Sequence, residues 1–153
     1  MKVGLLGDIH GNAPALDAVL AAATGVGVNR LLVTGDLVGY YFEPRRVLNR
    51  LSSFRWESVR GNHEDMLDAA RRDPRTMELV RSRYGSGIEV ALAELGEVWL
   101  DRLCALPRIM RCDIDGCQIL LCHGSPWDTD QYIYPDADSS LMRLCADQAS
   151  DVV

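Results

Sequence analysis

Several absences limit what this chain can be. It has no apolar run near the roughly 18 residues of a membrane-spanning helix. Its most apolar helical stretch, Ala13–Ala23, reads as a packed helix instead. Lys2 is followed by a short apolar strand and then Asp8, which leaves no room for the apolar core of a signal peptide. No membrane association and a cytoplasmic location are therefore expected. The five cysteines are odd in number and form no CxxC, as expected for reduced, mostly buried thiols. Cys112 and Cys117 flank the turn Asp113–Gly116 and read as cross-strand neighbours, with a disulfide the lesser alternative. Positive charge is in deficit: 16 basic residues face 22 acidic ones, for a net charge of −6. That argues against a general nucleic-acid-binding surface. A phosphate-bearing substrate remains open, because bound metals can reverse the charge of a pocket. Internal repeats, low-complexity segments and linkers are also missing, so residues 1–153 read as a single domain.

What is present is a regular alternation. The chain is long enough for a sizeable core, with 48% hydrophobic residues. Lys2–Leu6 reads as a strand. The following helix, Ala13–Ala23, has Asn12 at its N-cap and the stripe Leu16, Val19, Leu20, Ala23. Leu31–Thr34 is a continuous apolar strand of the parallel-sheet kind. A helix starting at Pro44 turns Val47, Leu48 and Leu51 inward, and Trp56–Val59 is a third strand. This βαβαβ order predicts an open α/β sheet. A helical block follows: Glu64–Ala70, a helix capped by Asp73-Pro74 with Met77, Val80 and Tyr84 inward, one after Ser86, and Glu97–Leu106. Arg108–Cys112 and Cys117–Cys122 form a hairpin, Ser139–Ala146 a last helix, and Asp151–Val153 the start of another strand.

Ligands in such sheets bind beyond the carboxyl ends of the strands. Asp8, Asp36 and Asn62-His63 each stand there, after successive strands, so three polar motifs remote in sequence should meet at one edge. The chain has only three histidines, His10, His63 and His123, and each follows a predicted strand closely with a glycine within two residues. If the strand stays extended past Gly7, Asp8 and His10 point to the same side. Oxygen and nitrogen ligands converging in this way suit divalent metals. Taken singly, Asp8, Asp36 and Asn62 are also common turn or cap residues. Glu64 and Asp65 open a helix and favour its dipole. Cys122 is assigned to packing, because alternation turns it away from His123. Trp127 and Tyr132 either wall a pocket or anchor a long loop. The set suits a two-metal hydrolase in which Asp36 bridges ions about 3.5–4 Å apart and a histidine protonates the leaving oxygen.

Gly7-Asp8-Ile9-His10-Gly11-Asn12, Gly35-Asp36-Leu37-Val38-Gly39-Tyr40, Gly61-Asn62-His63-Glu64 and His123-Gly124-Ser125-Pro126 resemble the calcineurin-like metallophosphoesterases, in order and spacing. The resemblance implies a four-layer α/β/β/α sandwich around two divalent ions, manganese first, with iron, nickel, magnesium or zinc as alternatives. It implies that Asp8 and His10 bind one metal, Asp36 bridges, and Asn62 and His123 bind the second. His63 would be the general acid acting with a metal-bound hydroxide. Asn62, His63 and Arg60 would contact the substrate phosphate. Gly39-Tyr40 stands where protein phosphatases carry Asp-Arg-Gly. This resembles the small prokaryotic phosphodiesterase and diadenosine-tetraphosphatase-like subgroup, and implies a small phosphoester or phosphodiester substrate. The family's last motif, Gly-His-x-His, does not occur, so a sandwich missing its C-terminal strands is expected. With two metal-ligand histidines absent, the alternative is a metal- or phosphate-binding module without turnover.

Overall fold

Three short apolar runs become three parallel strands, and the helices between them return the chain to the same edge. The computed structural model describes residues 1–148 and 150–153. The order begins β1 (Val3–Leu6), α1 (Ala13–Gly25), β2 (Arg30–Val33), α2 (Pro44–Leu51), β3 (Arg55–Ser58). β2 is central, with Leu5 opposite Leu32 on one side and Leu32 opposite Glu57 on the other. All four of its residues are buried, as its continuous apolar sequence predicts. Then come α3 (Asn62–Arg72), α4 (Pro74–Tyr84), α5 (Gly87–Glu94) and α6 (Glu97–Cys104), followed by the antiparallel hairpin β4 (Ile109–Ile114) and β5 (Cys117–Cys122) and by α7 (Ser139–Ala146).

The twofold alternation of β2 divides the interior. Leu31 and Val33 enter a large core with Leu16 and Leu20 of α1, Leu48 and Leu51 of α2, Leu67 of α3, Ile88 of α5 and Leu103 of α6. Leu32 points the other way and joins Val59, Ile114 and Leu121, which seats the hairpin against the sheet. The result is a helical layer, a parallel sheet and a second sheet, with α7 following without a buried side chain. Val152 forms a parallel bridge to Ile119, a single pairing where a further strand was expected.

Local signals account for most boundaries. The Asn12 side chain accepts from the Ala15 amide at 3.1 Å. Asp73 accepts from the amides of Arg75 and Thr76 at 3.1 and 3.3 Å, and Pro74 needs no partner at the first helical position. α6 ends at Cys104, before the expected Leu106, and Ala105 closes it by donating to the Asp101 carbonyl. The α1 stripe is narrower than its spacing predicts: Leu16 and Leu20 are buried, but Val19 is 43% exposed. The Asp115-Gly116 turn has two left-handed residues, φ 54° and 85°, the geometry that tightens a two-residue hairpin. Its register opposes Cys112 to Ile119 and Cys117 to Ile114. The two cysteines are thus staggered rather than opposed, which corrects the expected pairing, and all five thiols are free. Among the described residues, no helix is long and apolar enough to cross a membrane.

Candidate metal centre

The loops after β1, β2 and β3 and the end of β5 meet at one edge of the sheet. Asp8, His10, Asp36, Asn62, His63 and His123 all line the same cavity, of about 360 Å³. The expected convergence is present, but extension does not produce it. Asp8, His10 and Asp36 have φ of 52°, 50° and 56°, the left-handed region that costs a residue with a Cβ about 1 kcal/mol or more. Between the first two, Ile9 is buried and anchors the coil in the core. Hydrogen bonds hold the strained loops together. The His10 amide donates to the Asp36 carbonyl at 2.7 Å, Gly11 to Leu37 at 2.8 Å, and Tyr41 back to His10 at 2.8 Å.

Asp36 is the centre of the arrangement, at 2% exposure. One carboxylate oxygen, Oδ1, accepts from the His63 amide at 2.9 Å. The other, Oδ2, lies 3.6 Å from His10 Nε2 and 3.7 Å from His123 Nε2. His10 Nε2 is also 3.7 Å from Asp8 Oδ1. The opposite ring nitrogens face backbone carbonyls: His10 Nδ1 meets Val38 O at 3.2 Å and His123 Nδ1 meets Thr34 O at 2.8 Å. Those contacts place the ring protons on Nδ1 and leave Nε2 lone pairs aimed at the carboxylate. Lone pairs facing lone pairs in a buried setting call for a cation between them. Burial, and next the Glu64 carboxylate, push Asp36 up to about 8 in the metal-free protein, and a divalent ion would displace that proton.

Ligand-type atoms gather into two groups that share Asp36: His10, Asp36 and His63, and Asp8, Asp36 and His123. Two neighbouring sites with Asp36 in common fit this geometry. The implied pair of Asp8 and His10 is also close, at 3.7 Å. The nitrogen and oxygen donors suit first-row divalent ions. Cys122 lines the cavity rather than packing away from it, but belongs to neither group. His63 is 2% exposed. Burial, then the neighbouring His10 and His123, hold it down at about 4, so it is neutral at pH 7. Its ring meets His10 edge-on, with centroids 4.4 Å apart.

Backbone without a Cβ makes this crowding possible. A Cβ on Gly39 would lie 2.4 Å from His63 Nδ1 and 2.6 Å from His10 Nδ1. Gly87, at the start of α5, abuts the Gly39 carbonyl so closely that a Cβ there would fall 1.2 Å from its oxygen.

Two residues have roles that their sequence context did not suggest. Glu64, read as favouring the helix dipole, is wholly buried. Its carboxylate accepts from the amides of Asp36 at 2.8 Å, Leu37 at 2.8 Å and Gly61 at 2.9 Å. It ties the second loop to the third. Its place three residues after Gly61 was the available signal, since a glutamate there can reach back to the cap amide. Asp130 lines the cavity from a loop with no strand-end signature. Arg60 requires a correction. It does not line the cavity; its guanidinium pairs with Asp65 and with Asp68, the latter at 3.0 Å, and donates to the Cys104 carbonyl. The carboxylates of α3 claim it before any phosphate can. Of the two loop aromatics, Tyr132 walls the cavity, whereas Trp127 lies outside it and donates to Gln131 Oε1 at 2.6 Å.

Comparison with known proteins agrees with this geometry. The family model for calcineurin-like phosphoesterase matches residues 1–147. MJ0912, an uncharacterised protein of Methanocaldococcus jannaschii, is 28% identical over 141 residues, which cover 88% of this chain and 54% of that protein. The chain thus spans about half the length of this relative. A metallophosphoesterase from Sphaerobacter thermophilus superposes with a TM-score of 0.64 at 29% identity, covering 88% of this chain and 51% of that one. The protein PH1004 of Pyrococcus horikoshii shares the fold, with a TM-score of 0.76 at 24% identity over 94% of this chain and 64% of that one.

Proposed function

The chain belongs to the calcineurin-like phosphoesterase family, and from that premise we propose that it hydrolyses a small phosphomonoester or phosphodiester with two divalent ions held around Asp36. The observation that carries this reading is the buried Asp36 Oδ2 facing two imidazole Nε2 atoms at 3.6 and 3.7 Å. Asp8, His10, Asp36, Asn62 and His123 would hold the ions, with manganese preferred. When bound, the ions supply Lewis-acid activation of water and of the phosphoryl oxygens.

The protein's own groups do the rest. The carbonyls of Val38 and Thr34 fix the ring orientations of His10 and His123. Glu64 fixes the loop that carries Asp36. Asn62 opens α3 at the cavity wall, where its amide can donate to a phosphoryl oxygen. His63 gives a proton to the leaving oxygen. It is neutral at pH 7 until a phosphate anion beside it raises its affinity for a proton. That low affinity also favours a second reading, a module that binds metal and phosphate without turnover.

Hydrolysis of bis-p-nitrophenyl phosphate with Mn²⁺ separates the two. Turnover that falls more than about 100-fold in Asp36→Asn, beyond the cost of losing a supporting contact, is the expected result. Binding of Mn²⁺ and phosphate with no turnover in the wild type would leave the binding module standing.

A further inference from the structure

The cavity has an outer half that the metal ligands do not use. Its walls there include Tyr40, Thr129, Asp130, Gln131, Tyr132 and Ile133. No lysine or arginine is among the described residues lining the cavity. The nearby Arg60 is held by Asp65 and Asp68. Arg108, which reaches Thr129, is paired with Asp65 at 2.9 Å. The Asp130 carboxylate has no hydrogen-bond or ion-pair partner among the described residues; only its backbone amide is engaged, donating to Asp128. Tyr132 stacks on Tyr134 with centroids 6.0 Å apart and planes 10° apart. It is 73% exposed, so its second face is free. Tyr40 forms the seam between the halves, with its ring 4.6 Å from His10 and 4.8 Å from His63.

These features discriminate by charge. An anionic substituent would meet Asp130 with no lysine or arginine on the described cavity wall to answer it. A neutral substituent would gain ring contact only. An organic cation gains both the unpaired carboxylate and the electron-rich face of a tyrosine.

We propose that the phosphoester taken by this site carries an alkylammonium group on its leaving alcohol, seated between Asp130 and the free face of Tyr132. This rests on the phosphoester reading of the metal half. Hydrolysis would break the P–O bond to the amino alcohol, join the oxygen of water to phosphorus and return a proton to the alcohol oxygen, with no change of oxidation state.

Binding tests it without turnover. Two phosphonates of equal shape, 3-(trimethylammonio)propylphosphonate and 4,4-dimethylpentylphosphonate, which lacks the ammonium charge, are titrated by calorimetry into the Mn²⁺-loaded protein. The cationic ligand is expected to bind about fivefold tighter, the scale of one exposed cation–ring contact plus one exposed ion pair. That ratio should shrink toward one in Asp130→Asn and fall in Tyr132→Ala. Equal affinities in the wild type, preference for the ligand without the ammonium group, or binding of neither would overturn the proposal. Discrimination without hydrolysis of bis-p-nitrophenyl phosphate would remove the enzymatic reading and leave the cation subsite. Hydrolysis without discrimination would do the reverse.

Discussion

The two sides of the parallel sheet are built to different standards. Among the described residues, the helical side encloses a core of 19 buried residues, from Ile9 to Leu103. The hairpin side encloses four, Leu32, Val59, Ile114 and Leu121, and α7 leaves Met142 and Leu144 about half exposed, at 49% and 53%. The centre draws on both unequally. Asp8, His10 and Asp36 come from loops, and Asn62 and His63 from the first turn of α3, all rooted in the sheet and the large core. His123, with Cys122, Gly124 and the outer rim from Thr129 to Ile133, comes from the hairpin side. Under the proposed function, most of the metal geometry would be set by the better-packed side and substrate choice by the other. This division suits a site in which ligand positions tolerate little error and leaving groups vary.

Deletions of core volume should show this contrast most strongly. Leu48→Ala opens the large core at a residue 1% exposed and should cost about 2–5 kcal/mol in urea unfolding. Comparable losses from Leu48→Ala and Met142→Ala would refute the asymmetry. Glu64→Gln keeps the shape but turns one acceptor into a donor against amides that need acceptors. It should cost about 1–3 kcal/mol and loosen Mn²⁺ binding roughly tenfold or more; unchanged metal affinity would dissociate Glu64 from the centre.

A pH titration sharpens the comparison further. In chelator-treated protein, Asp36 holds its proton up to about 8, whereas an unfolded aspartate releases it near 4. His63, held near 4, binds fewer protons folded than unfolded up to about 6.5 and offsets Asp36 there, so the unfolding free energy should fall as pH rises between about 6.5 and 8, by at most about 1.4 kcal/mol per pH unit. Asp36→Asn should flatten that slope; a slope kept in the variant would assign the effect to another group. Met142→Ala should sit at the bottom of the scale, within about 0.5 kcal/mol.

Where local chemistry decided an outcome, the sequence was readable. The alternation of strands and helices, the caps Asn12 and Asp73, and the meeting of Asp8, Asp36 and His123 at one edge follow from apolar runs that end in glycine and a polar residue. What escaped depends on neighbours remote in the chain. Left-handed Asp8 and His10 exist because Asp36, Leu37 and Tyr41 bond to that coil. Arg60 turns from the cavity because α3 places Asp65 and Asp68 beside it. The cysteine stagger comes from a two-residue offset in hairpin register, which spacing alone leaves open. Glu64 looked like an exposed first-turn acid until the Gly35–Val38 loop folded over it.

The contact between Gly87 and the Gly39 carbonyl makes α5 a mechanical stop behind the imidazoles. Two backbones touch there with no side chain to cushion them, so a shift of α5 passes to Gly39 and from there to the rings of His10 and His63. The outer face of α5 is thereby a handle on the spacing of those two rings. A small molecule or partner chain that pressed on α5 would register in the ring resonances of two histidines it never touches.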